Sequence, residues 1–290
     1  MPLLKKVPHQ CINMKIFKGN SYEKRNLLFF FLTMLFLTGC LGRDQQATAS
    51  TSEDREDASP VPTDKAGVIL TFDDKSVGDW VKLIPVFKKY GACATFCVCK
   101  FNELSREEIK NLHELQDLGS EIASHSYSHK NALDFSKKFS IQEYIDKEIR
   151  PSLSAMKEEG FDVTSFAYPY GSRSAEIDKS LLQIFSVIRG TTYSSEGQRM
   201  AQSDKIYYST GENHRLIFGM GLDFSYGNTM KEIRTALDRA KKNSEIICLY
   251  GHDIKDQGKY ARSLKEYEEI IRYAHEIGLT FYRMKDINAN

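Results

Sequence analysis

The 290-residue chain carries almost no net charge: forty basic side chains against thirty-nine acidic ones leave +1. No broad basic face is implied, so nucleic acid is not an expected partner. No apolar run is long enough to cross a membrane. The longest candidate, residues 27–37, spans ~16 Å as a helix, whereas a hydrocarbon core is ~30 Å thick. No internal repeat marks an array. Tryptophan occurs once, at Trp80. The cysteines outside the leader are Cys93, Cys97, Cys99 and Cys248. Neighbours two apart in a strand rarely have disulfide geometry, and nothing near Cys97 and Cys99 completes a metal site. They read as small buried hydrophobes. The charged fraction (27%) and the apolar fraction (41%) are those of a globular protein.

The first 40 residues stand apart. Lys24 and Arg25 precede the apolar run, and Thr38-Gly39-Cys40 follow it. A basic stretch, an apolar core and a small-residue site describe a secretory signal. Leu37-Thr38-Gly39-Cys40 resembles the lipobox of bacterial lipoproteins. The resemblance implies that residues 1–39 are removed and that Cys40 becomes a lipidated N-terminus. It also implies a membrane-anchored protein of the bacterial cell envelope, periplasmic or surface-exposed. A plain signal peptide with an incidental cysteine is the alternative. Met14 offers a more usual start for such a leader than Met1. Residues 41–63, rich in Ser, Thr, Ala and acids, read as a flexible tether. Residues 64–290 are expected to form the working domain.

There the pattern alternates. Strand-like runs fall at 67–72, 92–98, 121–124, 163–167, 186–189, 246–250 and 279–283. Helix-like stretches lie at 77–90, 104–118, 140–159, 174–185, 229–243 and 262–277. Gly91, Gly119, Gly160 and Gly278 sit where a helix-ending glycine belongs. Ser105 with Glu108, and Ser140 with Glu143, look like capping boxes. Repeated strand-then-helix predicts a parallel sheet covered by helices, and seven runs suggest closure into an α/β barrel. Residues 193–228 break the pattern and read as a long loop or a β excursion.

Four runs end in reactive residues. Asp73-Asp74 follow the first, and Ser124-His125-Ser126-Tyr127-Ser128-His129 follow the third. Tyr168-Pro169-Tyr170-Gly171 follow the fourth, and Gly251-His252-Asp253 follow 246–250. In a parallel α/β fold all of these share the carboxyl-end face, where active sites are built. On a turn, His125 and His129 stand ~6 Å apart; along a strand they would be ~13 Å apart. Shared metal ligation therefore requires a turn. Two histidines and one carboxylate, with positions left for water, form a catalytic metal pattern that suits zinc and other divalent transition ions. The second carboxylate is free to take a proton.

Together these motifs resemble the polysaccharide deacetylase family, also called carbohydrate esterase family 4 or the NodB-homology domain, over about residues 66–285. The resemblance implies a distorted (β/α) barrel, often seven-stranded, acting on acetylated glycans. It assigns Asp73 as general base and Asp74, His125 and His129 as metal ligands. Pro169, Tyr170 and Gly171 line the cleft, with the Tyr170 N–H holding the oxyanion. His252 protonates the leaving amine. N-acetyl groups of N-acetylglucosamine polymers are the first expectation and xylan O-acetyl groups the second. The metal is expected to be Zn2+, with Co2+ or Ni2+ as alternatives. A carbohydrate-binding lipoprotein that has lost turnover is the competing reading.

Three departures from the family pattern stand out, and the second and third motivate that competitor. Lys75 replaces the usual glycine, and points to solvent or meets an anionic substrate. Ala167 stands where the family's third motif carries an arginine; Arg189 is the candidate replacement, with a surface position as its alternative. The family's aspartate–tryptophan motif is not evident; Asp223 is its nearest candidate. Trp80 reads as core or cleft rim. His113 and His275 read as surface residues, and His214 has no assigned place. Tyr193, Tyr207, Tyr208 and Tyr226 read as packing first and sugar-stacking second.

Overall fold

The structure, a computed structural model, describes residues 59–193 and 199–289. The leader, Cys40 and most of the tether lie outside the described residues. The strands are β1 (Gly67–Asp74), β2 (Thr95–Val98), β3 (Glu121–Ser124), β4 (Ser165–Ala167), β5 (Val187–Thr192) and β6 (Tyr207–Ser209). Then come β7 (Leu216–Gly221), β8 (Glu245–Gly251), β9 (Asp253–Ile254), β10 (Ala261–Arg262) and β11 (Thr280–Tyr282). The helices are α1 (Val77–Trp80), α2 (Ile84–Tyr90), α3 (Arg106–Asp117), α4 (Ala132–Lys138) and α5 (Ile141–Tyr144). α6 (Arg150–Glu158), α7 (Ala175–Leu181), α8 (Met230–Asn243) and α9 (Leu264–Glu276) complete them.

Seven strands form a closed parallel ring in the order β1-β2-β3-β4-β5-β7-β8, with β8 pairing back onto β1. Two short strands wedge into its amino end. β11 pairs with Gly67–Ile69 of β1, on the edge whose second half, Thr71–Asp74, takes β2. Antiparallel β6 holds Glu245–Ile247 of β8, and β7 takes that edge at Leu249 and Tyr250. The ring is therefore widest at its amino end and down to seven strands at its carboxyl end. The expected count of seven holds, but one member differs. Residues 279–283 supply the wedge β11, and the seventh stave is β7, from the stretch where alternation failed. Gly219 and Gly221 had disguised that strand.

Period-two alternation sorts each strand into an outer and an inner set. In β1, Val68, Leu70 and Phe72 join the large cluster under the helices, whereas Ile69 joins the barrel interior. Asp73 follows Ile69 and Thr71 by parity and points inward. The interior also holds Cys97, Ala123, Ala167 and Cys248, all small and fully buried. Outside, α8 buries Ile233, Ala236, Leu237 and Ala240, an i, i+3, i+4, i+7 stripe.

Gly91, Gly119, Gly160 and Gly278 all take positive φ after α2, α3, α6 and α9. Ser105 and Glu108 cap α3 reciprocally, and the Ser140 side chain accepts the Glu143 N–H. The 77–90 helix is interrupted by a 3-10 turn, Val81–Leu83, and the 140–159 helix contains a π-turn, Ile145–Ile149. The end of the expected tether is not loose. Arg283 donates to the Ser59 carbonyl at 2.8 Å, Val61 donates to Asp286 at 2.8 Å, and Thr63 is buried.

Candidate active site

β1, β2 and β3 pair in register, so Asp74, Val98 and Ser124 lie side by side at the barrel mouth. His125 follows Ser124 directly. The chain then turns, with Ser126 and His129 in the left-handed region at φ 69 and φ 60, and the His129 N–H donates to Ser126 Oγ at 3.0 Å. This turn brings His129 Nε2 to 3.2 Å from His125 Nε2 and to 3.1 Å from Asp74 Oδ1. His125 Nε2 lies 3.7 Å from the same oxygen. The three donor atoms fall within 4.8 Å of one another.

The donor chemistry fits a divalent cation. The Ala167 carbonyl, 2.8 Å from His125 Nδ1, holds the ring as the tautomer whose Nε2 lone pair faces the cluster. Burial first, and then the neighbouring His129, keep His125 neutral by pushing its pKa down to about 4 against the pull of Asp73 and Asp74. Burial pushes Asp74 up, but the His129 hydrogen bond and the neighbouring His125 and His252 rings hold it far below the usual carboxylate range. Two ring nitrogens and a carboxylate oxygen come together within reach of a single cation. Glu148, on the π-turn, secures the loop from behind: Ser128 N–H donates to it at 2.8 Å, and the Tyr127 N–H donates to its carbonyl at 2.8 Å. π-turns often mark such sites. Nothing in the sequence pattern singled out Glu148.

Asp73 is 3% exposed and Arg189 is 0% exposed. Arg189 Nη2 donates to both Asp73 oxygens, at 2.6 and 2.5 Å. Arg189 sits in β5 directly opposite Ala167 of β4. The arginine missing from β4 is thus matched by one a strand away at the same register. Its guanidinium crosses the interior past Gly219, stacks 5.0 Å from the Tyr250 ring, and is no surface group. Burial pushes Asp73 up, yet Arg189, helped by His125 and His252, holds it below its ordinary value.

His252 follows β8. Its Nδ1 lies 2.5 Å from Asp223 Oδ2, and its backbone N–H donates to Asp223 Oδ1 at 3.2 Å. One fully buried carboxylate therefore holds both the ring and the loop. Burial pushes the imidazole down, but the Asp223 hydrogen bond and the charges of Asp73, Asp223 and Asp74 raise it to about 9. Trp80, fully buried, donates its indole N–H to the His252 carbonyl at 2.9 Å. The sequence left Trp80 as core or rim; it is core, and it also braces this loop. Gly251 is required there, because a Cβ would stand 1.9 Å from the Tyr267 hydroxyl.

Pro169, Tyr170 and Gly171 form a tight turn after β4, with Tyr170 at φ 60. Gly171 has φ +64, and a Cβ there would meet Thr191 Oγ1 at 1.8 Å. The Tyr170 ring is 64% exposed and lies 4.7 Å from the His129 ring. Among the described residues six non-glycines take positive φ, and five of them (Asp74, Lys100, Ser126, His129 and Tyr170) surround this mouth. Backbone strain of this kind clusters at functional sites. A cleft of about 710 Å3 opens beside the three-donor cluster.

Tyr207 and Tyr208 are buried packing, whereas Tyr193 is exposed near Tyr226. His113 is half-buried rather than surface, stacked on Phe161 at 4.2 Å. His275 is exposed, and His214 packs 5.1 Å from Tyr208, well away from the mouth.

A closed seven-stranded (β/α) barrel with an Asp-His-His cluster at its carboxyl end defines a NodB-like protein. Residues 61–184 match the polysaccharide deacetylase family, the one its motifs resemble. Three solved structures share the fold. One is the catalytic domain of peptidoglycan N-acetylglucosamine deacetylase from Eubacterium rectale: 19% identity, 80% of this chain and 94% of that one, TM-score 0.53. Another is a Streptococcus mutans CE4 esterase: 20% identity, 76% and 87% coverage, TM-score 0.51. The third is peptidoglycan deacetylase PdaC from Bacillus subtilis: 19% identity, 78% and 92% coverage, TM-score 0.50. No curated protein matches the sequence.

Proposed function

We propose that the chain is a metal-dependent hydrolase that removes acetyl groups from glycans, first of all N-acetyl groups of N-acetylglucosamine-type polymers. One observation carries this reading: the Asp74-His125-His129 cluster shares the barrel mouth with two separate carboxylate pairs, Asp73 with Arg189 and His252 with Asp223. Each pair has a distinct proton task. Asp74, His125 and His129 would hold the cation, Zn2+ first and Co2+ or Ni2+ otherwise. When bound, such an ion supplies Lewis acidity, polarising a carbonyl oxygen and making water a usable nucleophile near neutral pH.

Asp73, kept ionised by Arg189, accepts a proton from the attacking water. The Tyr170 N–H donates to the oxygen that gains charge; such a donor is worth about 3–4 kcal/mol in other hydrolases. His252, charged through Asp223, gives its proton to the departing nitrogen. The products are acetate and a free amine. Pro169 and Gly171 hold the turn that presents Tyr170. The competing reading, a binding protein without turnover, rested on a missing arginine and a missing aspartate. Arg189 and Asp223 stand where those groups are needed, which supports turnover.

We further propose that residues 64–290 are the catalytic domain and that Cys40 carries a lipid anchor in the bacterial envelope. The test uses the full-length chain, stripped of metal and reloaded. Acetate release is measured from chito-oligosaccharides, peptidoglycan fragments and acetylated xylan. Asp74→Ala should lose metal binding and activity together; Asp73→Asn should keep metal and lose activity by about 10²–10⁴-fold. A fully active Asp73→Asn would remove Asp73 as the base, and no release from any substrate would favour the binding protein. Release from xylan alone would select the O-acetyl esterase. Cys40→Ala should free the protein from membranes.

A further inference from the structure

The cleft beside the three-donor cluster is larger than an acetyl group needs, at about 710 Å3. It falls within the range of ligand sites. Lys75, Lys100 and Lys130 line it, one from each loop after β1, β2 and β3. The chain as a whole is nearly neutral, so three lysines lining one cleft are a local arrangement. Apart from Asp74, Asp134 is the one acid on that lining. Glu103 pairs with Lys75 at 2.6 Å. Lys100 and Lys130 form no ion pair among the described residues. The backbone of Lys100 is fixed at the cleft: it sits at φ 50, and its N–H donates to the Tyr127 carbonyl of the histidine loop at 3.1 Å. The mouth also carries aromatic rings. Tyr260, half exposed, lies 5.5 Å from His252, and exposed Tyr193 leans on Tyr226. The mouth thus offers aromatic faces to sugar rings from Tyr170, Tyr193 and Tyr260, and positive charge from the lysines of the cleft.

Building on the deacetylase reading, we infer that the substrate is an acidic glycan: the sugar next to the acetylated one, on the lysine flank, bears a carboxylate, as a uronic acid does. Lys100 and Lys130 meet that carboxylate, and Lys75 adds to the field from beside Asp74.

The test is a matched pair of substrates. One is an oligosaccharide alternating N-acetylglucosamine with a uronic acid; the other is its carboxyl-reduced, neutral form. For the metal-loaded full-length protein, kcat/KM for acetate release should favour the acidic form by about tenfold, mainly through KM, since each exposed ion pair supplies up to about fivefold. The preference should shrink toward one between about 0.01 M and about 1 M salt, where the Debye length falls from about 30 Å to about 3 Å. Lys100→Ala with Lys130→Ala should lower the ratio of the two kcat/KM values. A ratio of one or below at low salt, or a ratio unmoved by the lysine variants, overturns the inference while leaving the deacetylase reading intact. If neither form releases acetate, the deacetylase reading fails. Titration of the metal-free protein with both forms then decides: tighter binding of the acidic form supports the lysine site, and equal binding sinks it. Preference for a sulfated or phosphorylated analogue over the carboxylated one rejects the carboxylate assignment.

Discussion

Replacing Arg189 by methionine keeps most of the side-chain volume and removes the partner of a buried carboxylate. Arg189 is 0% exposed and Asp73 3%, so little water can take the arginine's place. Breaking a buried pair by deleting one member costs about 3–5 kcal/mol, because the remaining charge stays buried and unpaired. At about 2–4 °C per kcal/mol for a domain of this size, the melting temperature should fall by about 6–20 °C. Adding Asp73→Asn removes the stranded charge and should recover much of that loss, so the double variant should be more stable than Arg189→Met alone. The pH dependence should reverse as well. In the wild type, Arg189 holds Asp73 below its ordinary value of 3.8. The pair therefore stabilises the fold above that pH and loses its effect as pH falls through the depressed value. Without Arg189, burial, the largest influence, is opposed only by His125 and His252 and should raise Asp73, so its contribution is greatest below 3.8 and declines as pH rises. The gap between wild type and Arg189→Met should be widest at neutral pH and close toward pH 3. Thermal unfolding of metal-free protein across that range measures all of this. A variant that melts with the wild type at pH 7, or a double variant no better than Arg189→Met, would refute the assignment of Arg189 as the group that keeps Asp73 ionised.

Three further perturbations bear on the same architecture. Gly251→Ala should cost about 1–3 kcal/mol, because its Cβ lands 1.9 Å from the Tyr267 hydroxyl. Adding Tyr267→Phe, which removes a hydroxyl that has no hydrogen-bond partner among the described residues, should restore most of it in urea unfolding; no rescue would mean that the clash is not the cause. At the barrel's amino end, burial raises Glu121 above 4.5 despite hydrogen bonds from the Lys285 N–H and the Thr95 hydroxyl. Its stabilising effect is complete below that pH and lost as pH rises, so Glu121→Gln should gain about 1–3 kcal/mol on the wild type by pH 8 and nothing at pH 4. An offset independent of pH counts against this. Asp223→Asn should return His252 from about 9 toward 6.5 or below, read from the ring's NMR titration in metal-free protein. The alkaline loss of activity should move down with it, since the protonated ring is the required form. An alkaline limb that stays put excludes His252 as the proton donor.

What the sequence made legible, and what it hid, divides along one physical line. Asp74, His125, His129 and His252 each follow an apolar run, and a parallel strand-helix alternation puts all such ends on one face. Their meeting therefore needed no knowledge of which strand pairs with which. The partners of Asp73 and His252 come from pairings that linear spacing does not show. Ala167 and Arg189 lie 22 positions apart in the chain but opposite each other across β4 and β5. Asp223 follows β7, a strand whose glycines made it look like a loop. Parity carries information that motif position does not. An inward-facing arginine on any neighbouring strand reaches Asp73 if the residues across the interior are small. Cys97, Ala123, Ala167 and Cys248 meet that condition. The cysteines are then less a set of generic core residues than the space through which the guanidinium passes. Enlarging one of them would displace Arg189 before it disturbed the helices outside. Within this barrel the arginine that meets Asp73 comes from β5, where register opposite Ala167 and a small-residue interior let its guanidinium reach the carboxylate.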